Sequence, residues 1–334
     1  DLFTMMKDYA GSDDPGKMEQ TRDGMGINTY PTKKVTVPVD VALVRANGTV
    51  NADDSVVNQL LFDIPKNVLQ KNDAAILSII AANKWKRPIY FTSQRISLGF
   101  DKYIRQDGLS YRLVPIENGE VNKGWVIDKM MTKFAFGNAD KKNVYFDEEN
   151  RRHLNSIRLA YASAASNLAD NGKKEEAKKL LNKCDNGMLD ENFAYGMVSR
   201  FQQHNYISLQ FLEACYKAGD TLLAGKVTKS VKKDLEQQMT FYAALGNMSV
   251  AELQQGIAKS SQMRYQQERD EYMANMAPKL RSIYDDAERG FQFLNAMQSF
   301  EQQFKNPKPP QPEQKGTINN TIPVQEPKTD SIIK

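Results

Sequence analysis

Three pairs of adjacent acids, Asp13-Asp14, Asp53-Asp54 and Asp285-Asp286, are the first residues whose type and spacing invite a chemical reading. Two carboxylates share acid–base work only when they converge on one point, and neighbours along a strand or helix face apart. Solvation or capping is the favoured role, and Asp53-Asp54 ahead of Ser55-Val56-Val57 suits a helix cap. A second set is Trp85, Arg87, Tyr90, Tyr111 and Arg112. Their rings and guanidinium forks are the candidate ligand contacts, able to stack on and hydrogen-bond a sugar or a peptide. The plainer role, with the aromatics filling a small core and each arginine paired to a local acid, is favoured over binding.

Other chemistry finds little support. Cys184 and Cys215 sit among apolar neighbours in helical patterns and read as two buried free thiols rather than a disulfide. The only histidines are His153 and His204, and no Cys-x-x-Cys occurs, so no metal ligand is assigned. Gly24-Met25-Gly26 has neither the Gly-Lys-Ser ending nor the Gly-x-Gly-x-x-Gly spacing of a phosphate loop. No serine elbow, kinase loop or zincin helix is present either. No catalytic residue and no cofactor is expected in this chain.

The elements that would position these residues divide by proline. Six of the thirteen prolines lie at or before Pro115, one is Pro278, and six crowd into Pro307 to Pro327. A proline inside a helix costs ~3 kcal/mol, so the nearly proline-free middle is free to be helical. The expected organisation is a small α/β domain over 1–148, a helical-repeat domain over 149–304, and a disordered tail over 305–334. The fold class is α+β, a small mixed β-sheet with packed helices, followed by an all-α tetratricopeptide-like region.

Within the first part, Val35-Thr36-Val37 and Leu60 to Ile64 predict strands, with Asn47 to Val50 as a turn between them. The first thirty residues read as irregular. A helix over about 72–84 runs into Trp85-Lys86-Arg87-Pro88, where the proline biases Arg87 out of the helical region, and then into a strand at Ile89 to Thr92. Phe100 to Gln106 reads as a short polar helix or loop, and Leu109 to Ile116 as a further strand. Trp85 is expected mainly buried against the sheet, with Arg87 held by a carboxylate or by carbonyls.

In the second part a stripe at Leu154, Ile157, Tyr161, Ala164, Ala165 and Leu168 is broken by Gly172. A shift of 47 residues carries Gly172 onto Gly219, Ala177 onto Ala224, Leu168 onto Cys215 and Ala165 onto Leu212. Small residues after a glycine turn let two helices approach closely, as in tetratricopeptide hairpins; a plain pair of helical hairpins is the alternative. A last stripe runs through Leu280, Tyr284, Ala287, Phe291, Leu294 and Met297. Met263, Met273, Met276 and Met297 read as core filler rather than a binding groove.

Composition bounds the partners. Of 334 residues, 40% are hydrophobic and 26% charged, which excludes a wholly disordered chain. A net charge of +4 with cations and anions interspersed announces no nucleic-acid face. No apolar run approaches the ~18 residues that span a bilayer, and no signal peptide is seen. The start at Asp1 fits a fragment or a processed form.

One resemblance adds to this. Ser12-Asp13-Asp14-Pro15, Tyr30 to Lys34 leading into Val37 to Asp40, Ala46 to Val50, Asn83 to Thr92 and Gly108 to Ile116 occur in that order. Together they resemble the region after the last membrane span in a bacterial family of multi-pass membrane proteins, likened to protein O-mannosyltransferases of the GT-C superfamily. The resemblance covers about residues 8 to 135, and the helical remainder is similar to the tetratricopeptide-like end of some members. It implies an extracytoplasmic domain at the periplasmic face of the inner membrane, acting as scaffold or acceptor-recognition module. The implied partners are the parent's own transmembrane catalytic half and an acceptor polypeptide or glycan. Catalysis would lie in that transmembrane half, so no catalytic residue transfers to this chain. The alternatives are an independent helical-repeat interaction module and a soluble enzyme with a site of unremarkable residues.

Overall fold

The computed structural model describes residues 1–8, 12–20, 22–28, 33–66, 69–93, 96–117, 123–276 and 284–305. Thr32 and its two predecessors, Pro278, Leu280 and the tail from 306 lie outside them. The first part comprises α1 (Leu2–Asp8), β1 (Met18–Gln20), β2 (Gly26–Asn28), β3 (Lys34–Pro38), α2 (Val41–Ala46) and β4 (Gln59–Asp63). It continues with α3 (Lys71–Asn83), β5 (Tyr90–Phe91), β6 (Ile104–Asp107), β7 (Ser110–Leu113) and α4 (Lys123–Thr132). The α+β reading followed by an all-α region is what the structure shows.

The strand pairing differs from a single mixed sheet. Among the described residues three small sheets form, β1-β2, β3-β4 and β5-β7-β6, and every pairing is antiparallel. The reason is local: β6 and β7 are joined by a tight turn at Gly108-Leu109, a connection too short for parallel strands. Residues 47–50 do turn the chain, but α2 precedes them, capped by the Asp40 carboxylate accepting from Leu43 N at 2.9 Å. The described residues among the first thirty are more regular than their glycines suggested, since α1 buries Leu2, Met5 and Met6 and β1 pairs with β2. Phe100 to Gln106 becomes a 3-10 turn at Asp101–Tyr103 leading into β6, and the strand expected over 109–116 shortens to β7.

Period-2 alternation places Val35 and Val37 of β3 and Leu60 and Phe62 of β4 inside, with Lys34, Pro38, Gln59, Leu61 and Asp63 outside. Helix α3 closes this core with Leu77, Ile80 and Ala81, while the Asp73 carboxylate accepts from Lys66 Nζ at 2.8 Å and from Gln70 N at 3.1 Å. Phe100 meets Phe62 edge-on at 5.5 Å, and Tyr103 is buried with its hydroxyl accepting from Leu61 N at 2.9 Å. Gly99 passes against β4 with φ +90°, and a Cβ there would stand 1.9 Å from the Asp63 carbonyl oxygen, so no other residue fits.

The second part contains α5 (Glu148–Asp170), α6 (Lys174–Asn186), α7 (Asp190–Phe193), α8 (Gln203–Ala218), α9 (Thr221–Leu245), α10 (Val250–Ser261), α11 (Gln266–Met276) and α12 (Tyr284–Lys305). No strand occurs among its described residues. The positions related by 47 residues fall on equivalent sites of two hairpins, α5/α6 and α8/α9. Gly172 and Gly219 turn both with positive φ, 77° and 76°. Ala177 and Ala224 are both buried, as are Leu168 and Cys215 and Ala165 and Leu212. Ladder contacts give the direction of packing: Arg158 approaches Ser208, and further along Ser166 and Asp170 meet Lys217, so α5 and α8 run parallel. Tyr206 then meets Phe293, and Tyr216 stacks on Phe304, so α12 lies parallel to α8 in turn.

A second core runs through Leu168, Leu181, Phe211, Leu212 and Val231, and a third joins Met239, Leu253, Ile257, Met273 and Phe291. Met273 and Met297 are buried and Met263 and Met276 half-buried, in keeping with core filling. Cys184 and Cys215 are free and buried, and burial pushes the Cys184 thiol up to about 12 and that of Cys215 well above its ordinary value.

At the loop between the hairpins, Arg158 is buried between the rings of Phe193 and Tyr195, 4.3 Å from each centroid. Its guanidinium donates to Phe193 O at 2.8 Å and Ala194 O at 3.2 Å, and burial lowers its pKa. His204 Nε2 donates to Ala194 O at 2.8 Å, as a carbonyl partner requires. Desolvation, with the Arg158 charge second, lowers the His204 pKa from 6.5 to about 3. A histidine held neutral in the fold gives stability that is complete above 6.5 and is lost as pH falls toward 3, because the unfolded chain takes up the proton first. Urea unfolding should therefore weaken by a few kcal/mol across that window, and His204→Gln should flatten the slope; equal slopes would exclude His204 as the cause.

Candidate functional site

The Trp-x-Arg-Pro turn is built where α3 ends. Lys84 and Trp85 both take positive φ, 48° and 62°, a conformation uncommon for residues with a Cβ. Side-chain bonds hold it: Asn83 Nδ2 donates to Arg87 O at 2.9 Å, and Arg87 N donates to Asn83 Oδ1 at 3.0 Å. Trp85 Nε1 donates to Pro38 O at the end of β3, at 2.8 Å, and Asn47 Nδ2 donates to Trp85 O, also at 2.8 Å.

The Asn47-Gly48-Thr49 turn is thus a hub. Gly48 O accepts from Arg112 Nη1 at 3.2 Å, and Thr49 Oγ1 accepts from Arg112 Nη2 at 3.2 Å. Thr49 O accepts from Arg105 Nη2 at 3.3 Å. In the three-stranded sheet, register places Tyr90, Arg112 and Arg105 in one cross-strand row, and Phe91, Tyr111 and Gln106 in the next, on the opposite face. Arg112 lies 5.6 Å from the Tyr90 ring. Arg105 is buried, pairing with Asp107 at 3.0 Å and Asp54 at 3.4 Å.

The five candidate ligand contacts therefore do not converge. Tyr90 is 49% exposed, and Arg112 is tied to the hub. Tyr111 packs into the first core on the other face. Only Trp85 and Arg87 share a cavity, a cleft also lined by Val37, Thr49, Ile80, Asn83, Pro88, Ile89 and Leu113. Its empty space, mouth included, is ≈ 310 Å³, but the enclosed part has room for about one water. Two expectations need correction. Trp85 packs against the first core but is only half-buried, since it also lines the cleft. Arg87 is exposed, and its guanidinium has neither a carboxylate nor a carbonyl partner among the described residues, since Asn83 bonds only its backbone.

One acid of each pair, Asp13, Asp53 and Asp285, is exposed, and the other is held by local structure. Asp14 accepts from Gly16 N at 2.9 Å, capping a 3-10 turn. Asp54 caps no helix: it closes a turn by accepting from Asn51 N at 2.6 Å and reaches Arg105. Asp286 is not solvated as expected, because α12 packs its Oδ1 where no partner reaches, and burial raises its pKa. The cleft lining holds no carboxylate, and its one hydroxyl, Thr49 Oγ1, is engaged with Asn47 Oδ1 and Arg112 Nη2. Among the described residues no group of three His, Cys, Asp or Glu is placed to hold a metal ion.

A larger opening, with no cue in the sequence pattern, is an open valley of ≈ 600 Å³ between α5 and α8, lined mostly by polar side chains from both. Polar residues at helical spacing look the same on a solvated face as in a groove. Only the parallel packing of two distant helices distinguishes them. The buried Arg105 and Arg158 were missed for a similar reason, since an arginine carries no sequence mark of burial.

Comparison with known families bears on the first part. Residues 1–133 match the family model described as TMEM260-associated domain 2. The matched stretch nearly coincides with the 8–135 over which the sequence motifs resemble the membrane-protein family, and it ends before α5. No curated protein and no solved structure matches the chain. Among the described residues no helix is long and apolar enough to cross a membrane.

The turn offers a test of role. Trp85→Ala removes a half-buried indole and its bond to Pro38 O, and should cost about 2–3 kcal/mol. The expected reading is a lower thermal midpoint, with any sugar or peptide binding falling only in proportion to folded protein. Unchanged stability with abolished binding would make the turn a ligand site instead.

Proposed function

We propose that this chain is the extracytoplasmic C-terminal region of a membrane-bound glycosyltransferase of the protein O-mannosyltransferase-like kind. It serves as scaffold or acceptor-protein recognition module and leaves catalysis to a transmembrane half. The observation that carries this reading is the family match over residues 1–133, joined to the motif order within the same stretch. The coupling of the two parts agrees with a scaffold role. Gln106 Nε2 donates to Ala160 O of α5 at 3.0 Å, and Tyr161 OH donates to Met130 O of α4 at 2.7 Å. Such ties suit a platform that presents one surface at a fixed place relative to another.

On this reading residues 1–148 form the family-specific unit, 149–304 a tetratricopeptide-like stack, and the site of action is the periplasmic face of the inner membrane. A second reading, an independent helical-repeat interaction module, draws on the paired hairpins and on the match ending before α5. Sequencing the gene upstream of the Asp1 codon separates the two. Several spans of ~20 apolar residues are expected there, and a soluble upstream sequence would remove the membrane-enzyme reading.

A further inference from the structure

The valley between α5 and α8 is walled by Ser163, Ser166 and Asn167 on one side and Gln210, Glu213 and Lys217 on the other. All six are half-buried, so they line a recess rather than stand on an open face. Lys217 closes one end, donating to Ser166 Oγ at 3.0 Å and pairing with Asp170 at 3.2 Å and Glu213 at 3.4 Å. The Gln210 amide and the Ser163 hydroxyl have no hydrogen-bond partner among the described residues.

The chemistry of the walls selects the ligand. An amide on each wall offers both donor and acceptor, Asn167 with only a long 3.5 Å contact from Asn171 Nδ2 to its Oδ1, which matches the N–H and C=O groups that an extended backbone presents. No aromatic ring lines the valley, so a sugar ring would find no face to stack on. Glu213 and Asp170 against the single Lys217 leave an excess of one negative charge, which disfavours acidic segments. From Ser163 to Asp170 the helix rises about 11 Å, the length of about three extended residues.

We propose that this valley docks a short, extended polypeptide segment of neutral or basic charge. The inference rests on the acceptor-recognition reading and names the site and the class of ligand. Because the wall groups exchange water for peptide, binding is weak and depends on the pair of amides.

Fluorescence anisotropy of a labelled peptide of threonine, serine and lysine, titrated with the full chain, tests it. Binding is expected to weaken about tenfold or more in the double variant Asn167→Ala, Gln210→Ala, the scale of lost hydrogen bonds. Ser163→Tyr, which fills the valley, should abolish it, with unchanged thermal midpoints showing that both variants fold. On the unmodified chain, which avoids any question of folding, the same peptide with glutamate for lysine should bind more weakly. No binding of the lysine peptide, equal binding by the variants, or indifference to the charge swap would overturn the proposal. So would a mannose oligosaccharide that displaces the peptide and is itself lost in Ser163→Tyr. None of these failures touches the membrane-enzyme reading, which the upstream gene sequence decides.

Discussion

Replacing Arg158 by alanine is expected to destabilise the helical part by about 3–5 kcal/mol, one of the largest single effects in the molecule. Three losses add. The guanidinium leaves the faces of Phe193 and Tyr195, where a desolvated cation contributes about 2 kcal/mol. Phe193 O loses its 2.8 Å donor, a charge-assisted bond of about 1.5–3 kcal/mol. A void remains beside two rings. Opposing these is the cost of burying a cation, which the wild type bears without a carboxylate in hydrogen-bond contact. Arg158→Met keeps most of the volume and escapes that cost, so its loss should be smaller, about 1–2 kcal/mol. Urea titration of both variants checks the ordering. An alanine variant as stable as wild type would mean that the Phe193 to Tyr195 segment holds without its pin.

The second large effect lies on the three-stranded sheet. Arg105→Leu strips Asp107, itself buried, of its 3.0 Å partner and should cost about 3–5 kcal/mol, the usual result of orphaning one side of a buried pair. Arg112 remains near, but its Nη1 is 4.0 Å from Asp107 and is already committed to Gly48 O. Removing both charges together, Arg105→Leu with Asp107→Leu, should recover most of the loss. Thermal unfolding distinguishes the cases. A double variant no better than the single would show that the link from Arg105 to Thr49 O, rather than charge pairing, holds the hub together.

How legible these features are in sequence depends on the range over which each is determined. The 72–84 helix and its Pro88 stop, the β3 and β4 alternation, and the correspondence of Gly172 with Gly219 rest on neighbours within a few residues, and each has its counterpart in the structure. The antiparallel separation into three sheets depends on which strands meet, which local pattern leaves open. Trp85 was misplaced by rank of residue type. Large aromatics tend inward, but the positive φ at Lys84 and Trp85 follows from tertiary bonds to Asn47 and Pro38. Arg87 and Arg112 were indistinguishable in sequence, and the fold alone leaves one exposed and ties the other to a turn more than sixty residues away.

The central claim is that the chain assists a glycosyltransferase without catalysing transfer itself. Its most direct test is incubation of the purified chain with lipid-linked mannose and an acceptor peptide, with glycopeptide detected by mass spectrometry. The account expects no product above a no-protein control. Product formed in proportion to added chain would contradict it and place an active site within these 334 residues.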